Sequence, residues 1–295
     1  MSTTISSIGV LGAGQMGLGI AQVTARAGFP TVLVKATPGD VSPLRKKVEG
    51  AWGRDVEKGR MTAEELAASL GRLNITTAFD ALGKCDLIIE SIVEDVARKH
   101  EAFDRLDAIC GPEAIFGSNT STLGITAMAV RTKRPGRFLG LHFFNPAPAM
   151  KLVEVASTVV TEPGLADAVA AVMVKLGKTP VLVKDTTGFV VNRLLVPYML
   201  DAMHILADTG AGVADIDTAM CNGAAHPMGP FTLADFIGLD VVFHMANNLH
   251  DEYREPRFAP APLLTRLVLA GQLGRKTGLG FYDYSVKPAR PNPGL

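Results

Sequence analysis

Along the first two thirds of the chain, short apolar runs alternate with longer stretches whose apolar positions recur every three to four residues. The runs at 8–12 (IGVLG), 31–35 (TVLVK), 73–77 (LNITT), 86–91 (DLIIES), 114–119 (AIFGSN), 137–143 (RFLGLHF), 151–156 (KLVEVA) and 180–184 (PVLVK) are rich in β-branched residues and predict strands. Helical periodicity fills 15–28, closed by Gly28, two stretches within 43–70, then 95–109 and 162–176. Thr62 with Glu65 three residues later predicts a capping box. Continuously apolar strands separated by helices predict a mostly parallel sheet covered on both faces. From Phe189 onward the strand pattern stops. Helical periodicity broken by Gly and Pro predicts helices at 189–208, 213–222, 231–250 and 261–271, and the Pro-rich tail after Lys287 is expected to fray. The reading is an α/β domain over 1–185 and an all-helical domain over 186–295.

Composition narrows the function classes. Apolar residues make up 47% of the 295, and 29 Lys plus Arg balance 29 Asp plus Glu. Zero net charge argues against bulk capture of nucleic acid or an anionic membrane, though a local basic pocket remains open. Cys85, Cys110 and Cys221 are far apart and form no CxxC pair, so reduced thiols are expected, with no disulfide frame and no metal site. No basic-then-apolar leader and no membrane-length apolar run is present, and the expectation is a cytoplasmic protein.

The first strand runs straight into Gly12-x-Gly14-x-x-Gly17 and then a helix. In that setting the first glycine permits a tight turn, the second lets backbone approach a pyrophosphate, and the third lets helix and strand pack closely. Phosphates would rest on the helix N-terminal amides, with Gln15 and Met16 among the cofactor contacts. The domain is therefore read as a dinucleotide-type α/β domain. An acidic residue at the end of the second strand would hold the adenosine ribose. Lys35 stands there instead, and Asp40 lies several residues beyond. Lysine can pair with a 2′-phosphate as a point charge, so NADP stands beside NAD, as does the possibility that Lys35 points to solvent.

The stretch LHFFNPAPAMKLVEV, 141–155, sets a histidine and a glutamate in an apolar run. His142 ends a strand on the carboxyl edge of the sheet, where ligands bind in open α/β folds. Pro146 and Pro148 force an extended turn, and the returning strand can bring Glu154 against the imidazole and orient it as a base. Ser121, in the hydroxyl cluster SNTSTL, and Asn192, at the start of the helical domain, are candidates for the substrate end.

Taken together, GAGQMGLGIA, IIESIVED, SNTSTL, GLHFFNPAPAMKLVEV, DTTGFVVNRLLVPYML, HPMGPFTLADFIGLD and GRKTGLGFYDY resemble the 3-hydroxyacyl-CoA (3-hydroxybutyryl-CoA) dehydrogenase family, in family order across the chain. The resemblance implies a Rossmann-like domain, a helical domain that forms a homodimer, an acyl-CoA substrate in fatty acid metabolism, and oxidation of (3S)-hydroxyacyl-CoA by NAD(P). By motif it implies His142 as base, Glu154 as its partner, Ser121 and Asn192 at the 3-oxygen, and Glu94 and Lys99 on the nicotinamide-ribose side. Arg54 and Lys58 lie where the family presents basic residues to the CoA nucleotide, although a solvated helix face would look the same. Val196, Met199 and 226–231 would line the acyl pocket. Lys35 departs from the family pattern. A carrier-bound hydroxyacyl group, a sugar acid and a non-catalytic relative remain as alternatives; the lysine-based β-hydroxyacid dehydrogenases fit less well, because GFVVNRLL has Asn192 and no lysine.

Overall fold

The structure, a computed structural model, describes residues 4–295. Its contacts divide the chain into two units, one ending at Thr186 and the other running from Thr187 to Leu295. The first is built on β1 (Ile8–Leu11), β2 (Thr31–Val34), β3 (Leu73–Thr76), β4 (Leu87–Glu90), β5 (Ile115–Ser118), β6 (Phe138–Phe143), β7 (Leu152–Ser157) and β8 (Thr179–Lys184). They form one sheet in the order β3-β2-β1-β4-β5-β6-β7-β8. The pairs from β3 to β6 are parallel. Each of these connections contains a helix or helical turn, long enough for a crossover: α1 (Gln15–Arg26), α2 (Ser42–Glu57) with α3 (Ala63–Arg72), α4 (Val96–Ile109) and α5 (Ile125–Ala129) serve them. Between β6 and β7 there is only the turn 144–151, too short for a crossover, and β7 returns antiparallel. After α6 (Leu165–Lys175), β8 lies parallel to β7.

The central strands are buried along their whole length, as continuous apolar runs require. Ile20, Ala21 and Ala25 of α1 pack on Ile8, Val10 and Leu33 in one core. Small residues along that helix let it approach the sheet closely. The Thr62–Glu65 capping box forms in both directions.

The second unit contains α7 (Val191–Asp208), α8 (Val213–Gly223), α9 (Pro230–Ile237), α10 (Leu239–Tyr253) and α11 (Pro262–Leu269) around its own core, with Val196, Met199, Phe231 and Phe281 fully buried. Two expectations are corrected. The helix expected over 231–250 is two helices, because Gly238 takes φ +105° and turns the chain between them. The tail does not fray. β9 (Tyr282–Asp283) pairs with β10 (Arg290–Pro291), and Asn292 is buried, its amide donating to the carbonyl of Gly280 at 2.7 Å and to Gln272 Oε1 at 2.9 Å. The strand with which the tail pairs is held in turn by buried carboxylates. Asp235 accepts from the Phe281 and Tyr282 amides and the Tyr284 hydroxyl, and Asp217 accepts from the Tyr282 hydroxyl. Proline content alone was a poor guide, since prolines leave the partnered positions between them free to bond.

Replacing Asn292 by Ala strips a buried carbonyl of its donor, a loss of about 1–3 kcal/mol. Urea unfolding of Asn292→Ala checks this; an unchanged midpoint would show the tail to be incidental to stability.

Candidate active site

At the end of β1 the chain turns on Gly12, whose φ is +107°. A Cβ there would collide with the Ser91 carbonyl, and one at Gly17 would collide with the Gly12 carbonyl, whereas one at Gly14 would meet nothing within 4 Å. The first and third glycines thus serve packing, and the second faces open space. That space is a cavity of about 750 Å³, lined by Gly12, Gly14, Gln15, Met16, Lys35, Glu94 and Ser121 among others. The N-terminal amides of α1 lie beside it without intrahelical partners, a seat for anionic groups. Lys35 lines the cavity, with Nζ donating to the Pro38 carbonyl at 2.8 Å. Asp40 is turned away onto Ser42, whose amide and hydroxyl hold its carboxyl below the ordinary range.

Behind the cavity wall lies a charge network whose anchor, Glu90, the sequence reading missed. Glu90, at the end of β4, is fully buried and accepts from Lys99 Nζ at 2.7 Å, the Ile92 amide at 2.8 Å and Ser118 Oγ at 2.6 Å. Lys99 also lies 3.2 Å from Glu94, which accepts from the Ser121 amide and from the hydroxyls of Thr120 and Thr122. Glu94 and Ser121 are therefore brought together at the cavity. Lys99, expected against the cofactor, is 1% exposed and stands behind Glu94. A carboxylate ending the apolar run DLIIES was the signal for Glu90, the same anomaly that drew attention to Glu154.

On the other side of β5, His142 and Glu154 are directly paired across β6 and β7. His142 Nδ1 lies 2.7 Å from Glu154 Oε2, with the residues 7% and 1% exposed. A buried carboxylate accepts, so Nδ1 carries the proton and the basic lone pair falls on Nε2. Asn119 ties this pair to the cavity it lines. Its Oδ1 accepts from the Phe143 amide at 2.8 Å and its Nδ2 donates to Ser91 at 3.2 Å. Gln15 donates to Asn145 in the following turn. Asn119 too went unnoticed in the sequence, hidden in a run of hydroxyl residues.

Arg54 and Lys58 do not join that cavity. They line a second one of about 650 Å³, with Arg26, Lys151, Lys175 and Lys178 adding positive charge against Asp55 alone. Buried Lys178 donates to the carbonyls of Ala147 and Met150 in the turn after His142, and burial pulls its ammonium below the usual lysine range. Asn192 belongs to the helical unit, where it is buried in the first turn of α7. Among the described residues, no cluster of three or more His, Cys, Asp or Glu could hold a metal, and no helix is long and apolar enough to cross a membrane.

The chain matches the family model for the 3-hydroxyacyl-CoA dehydrogenase NAD binding domain over residues 7–186, and that for the C-terminal domain over 188–284. The chain belongs to the 3-hydroxyacyl-CoA dehydrogenase family. Within it, a 3-hydroxybutyryl-CoA dehydrogenase of Mycobacterium tuberculosis is 44% identical over 96% of this chain and 100% of its own. The mitochondrial hydroxyacyl-coenzyme A dehydrogenase of Sus scrofa is 42% identical over 95% of this chain and 91% of its own. The crystal structure of the (S)-3-hydroxybutyryl-CoA dehydrogenase of Ralstonia eutropha has a TM-score of 0.93 at 40% identity, covering 96% of this chain and 100% of its own.

Lys99→Met leaves Glu90 buried with neutral donors and no countercharge, which costs about 3–5 kcal/mol. Denaturant unfolding of the purified variant measures it; a loss under about 1 kcal/mol would show that the Glu90–Lys99 pair adds little to stability.

Proposed function

We propose that the protein interconverts a (3S)-hydroxyacyl-CoA and its 3-oxoacyl-CoA with NAD(P), His142 serving as general base and Glu154 as its partner. The observation that carries this reading is the buried 2.7 Å contact between them, on the sheet whose carboxyl edge also bears the glycine-loop cavity. Bound nicotinamide supplies the hydride acceptor. His142 Nε2 takes the 3-hydroxyl proton, and Glu154, fixed across the strand pair, stabilises the imidazolium that results. Ser121 contacts the 3-oxygen, Asn192 keeps the substrate-contacting role its motif implies, Glu94 fixes the turn that carries Ser121, and Gly12, Gly14, Gln15 and Met16 seat the dinucleotide. Arg54 and Lys58, in their basic cavity, receive the phosphates of CoA. A sugar acid or a carrier-bound group would bring fewer phosphates to that cavity than CoA does, and a non-catalytic relative would leave the buried pair without a use.

The reading carries with it a homodimer through the helical unit, where Leu194, Phe236, Val241 and Leu269 are exposed apolar side chains of the kind a partner covers. It also carries a cytoplasmic setting, in keeping with three free cysteines. Lys35, on the cavity wall, leaves both nicotinamide cofactors in play.

His142→Ala should lower kcat for acetoacetyl-CoA reduction by about 10²–10⁴-fold, and Glu154→Gln by less. The double variant should lose far less than the product of the single losses, because the two act as a unit; multiplicative losses would separate their roles. Wild-type protein that turns over no acyl-CoA of any length with either cofactor overturns the whole reading.

NADPH should serve at least comparably to NADH. Lys35→Asp should shift the ratio of kcat/KM values toward NADH by about tenfold, the scale of one hydrogen bond to a charged group. A strong wild-type preference for NADH, unmoved by the substitution, would place Lys35 outside cofactor recognition.

A further inference from the structure

The cavity at the glycine loop extends past Lys35 to a wall that no cofactor role yet covers. There Arg105 lays its guanidinium over the Phe79 ring, 3.9 Å from the centroid, and both residues line the cavity. Phe79 follows the end of β3, at the sheet edge, and the Lys35 amide donates to the Thr76 carbonyl just before it, so this wall adjoins the end of β2. Arg105 comes from α4. Arg98, Glu101 with Ala102, and Arg105 recur every three to four residues and all line the cavity, whereas Lys99, Phe103 and Leu106 are buried.

Position in the sheet says which part of a dinucleotide would meet this wall. Asn119 and Ser121, which lead to His142, follow β5; Phe79 follows β3, four strand positions away. At about 4.8 Å per strand that is roughly 19 Å, enough to put the two halves of an extended dinucleotide at opposite ends of one cavity. The reacting ring belongs near β5. The wall at β3 faces the other half.

On this reading of the cavity as the cofactor site, we infer that the Phe79–Arg105 stack is the binding surface for the adenine ring. A planar guanidinium over an aromatic ring presents a flat, weakly hydrated, cationic face to an electron-rich base. Phe79 backs the guanidinium, and Leu44, also on the lining, adds apolar surface. Arginine rather than lysine is required, because a point charge offers no plane.

The test uses purified full-length protein and calorimetric titration with AMP and nicotinamide mononucleotide, the two halves of the cofactor, and with NADH. Arg105→Ala and Phe79→Leu should each weaken AMP and NADH roughly tenfold. Arg105→Lys should recover little of that, and nicotinamide mononucleotide should bind as to wild type. AMP affinity within twofold of wild type in Arg105→Ala overturns the inference. So does a parallel loss for both halves, which would mark a general disturbance of the cavity. Wild-type protein that binds NADH and AMP yet reduces no acyl-CoA leaves this inference standing and removes only the proposed substrate.

Discussion

A carboxylate enclosed in a β-sheet must keep a cation or several donors against it, since an unpaired buried charge costs more than most single contacts return. This chain accepts that constraint twice, on either side of β5. Glu90 is met by Lys99, Ser118 and the Ile92 amide. Glu154 is met by His142. Each pairing fixes something beyond itself: Lys99, held by Glu90, also reaches the Glu94 carboxylate under the Ser121 turn, and the Glu154 carboxylate sets which nitrogen of His142 carries the proton. The site's geometry is in this sense a by-product of keeping buried charge satisfied.

Much of this was legible in the sequence because it rests on period and spacing. Every strand of the large sheet was visible as an apolar run, and the His142–Glu154 contact followed from a twelve-residue separation across a proline turn. Other features were not legible, each for a physical reason. Gly238 ends a helix through its backbone conformation, which an otherwise continuous apolar stripe conceals. Asn292 anchors the tail through two carbonyl-type acceptors brought near only by the fold. Lys99 carries a charge, and a charged residue on a helix looks exposed until its carboxylate partners are known to lie behind it.

Arg54 and Lys58 show the opposite case. Read singly, each is a basic residue on a solvated helix. The fold sets them around a cavity with cations drawn from α1, α6 and the turn before β7. Charge balance over the whole chain hid a strong local imbalance, because net charge is a sum and a binding cavity is a place.

The turn 144–151 lies between the two cavities. Gln15, on the wall of the glycine-loop cavity, donates to its Asn145, and Lys178, on the wall of the basic one, grips its Ala147 and Met150 carbonyls. A short turn held from both walls couples the two hollows: a change in its shape is felt on both sides at once.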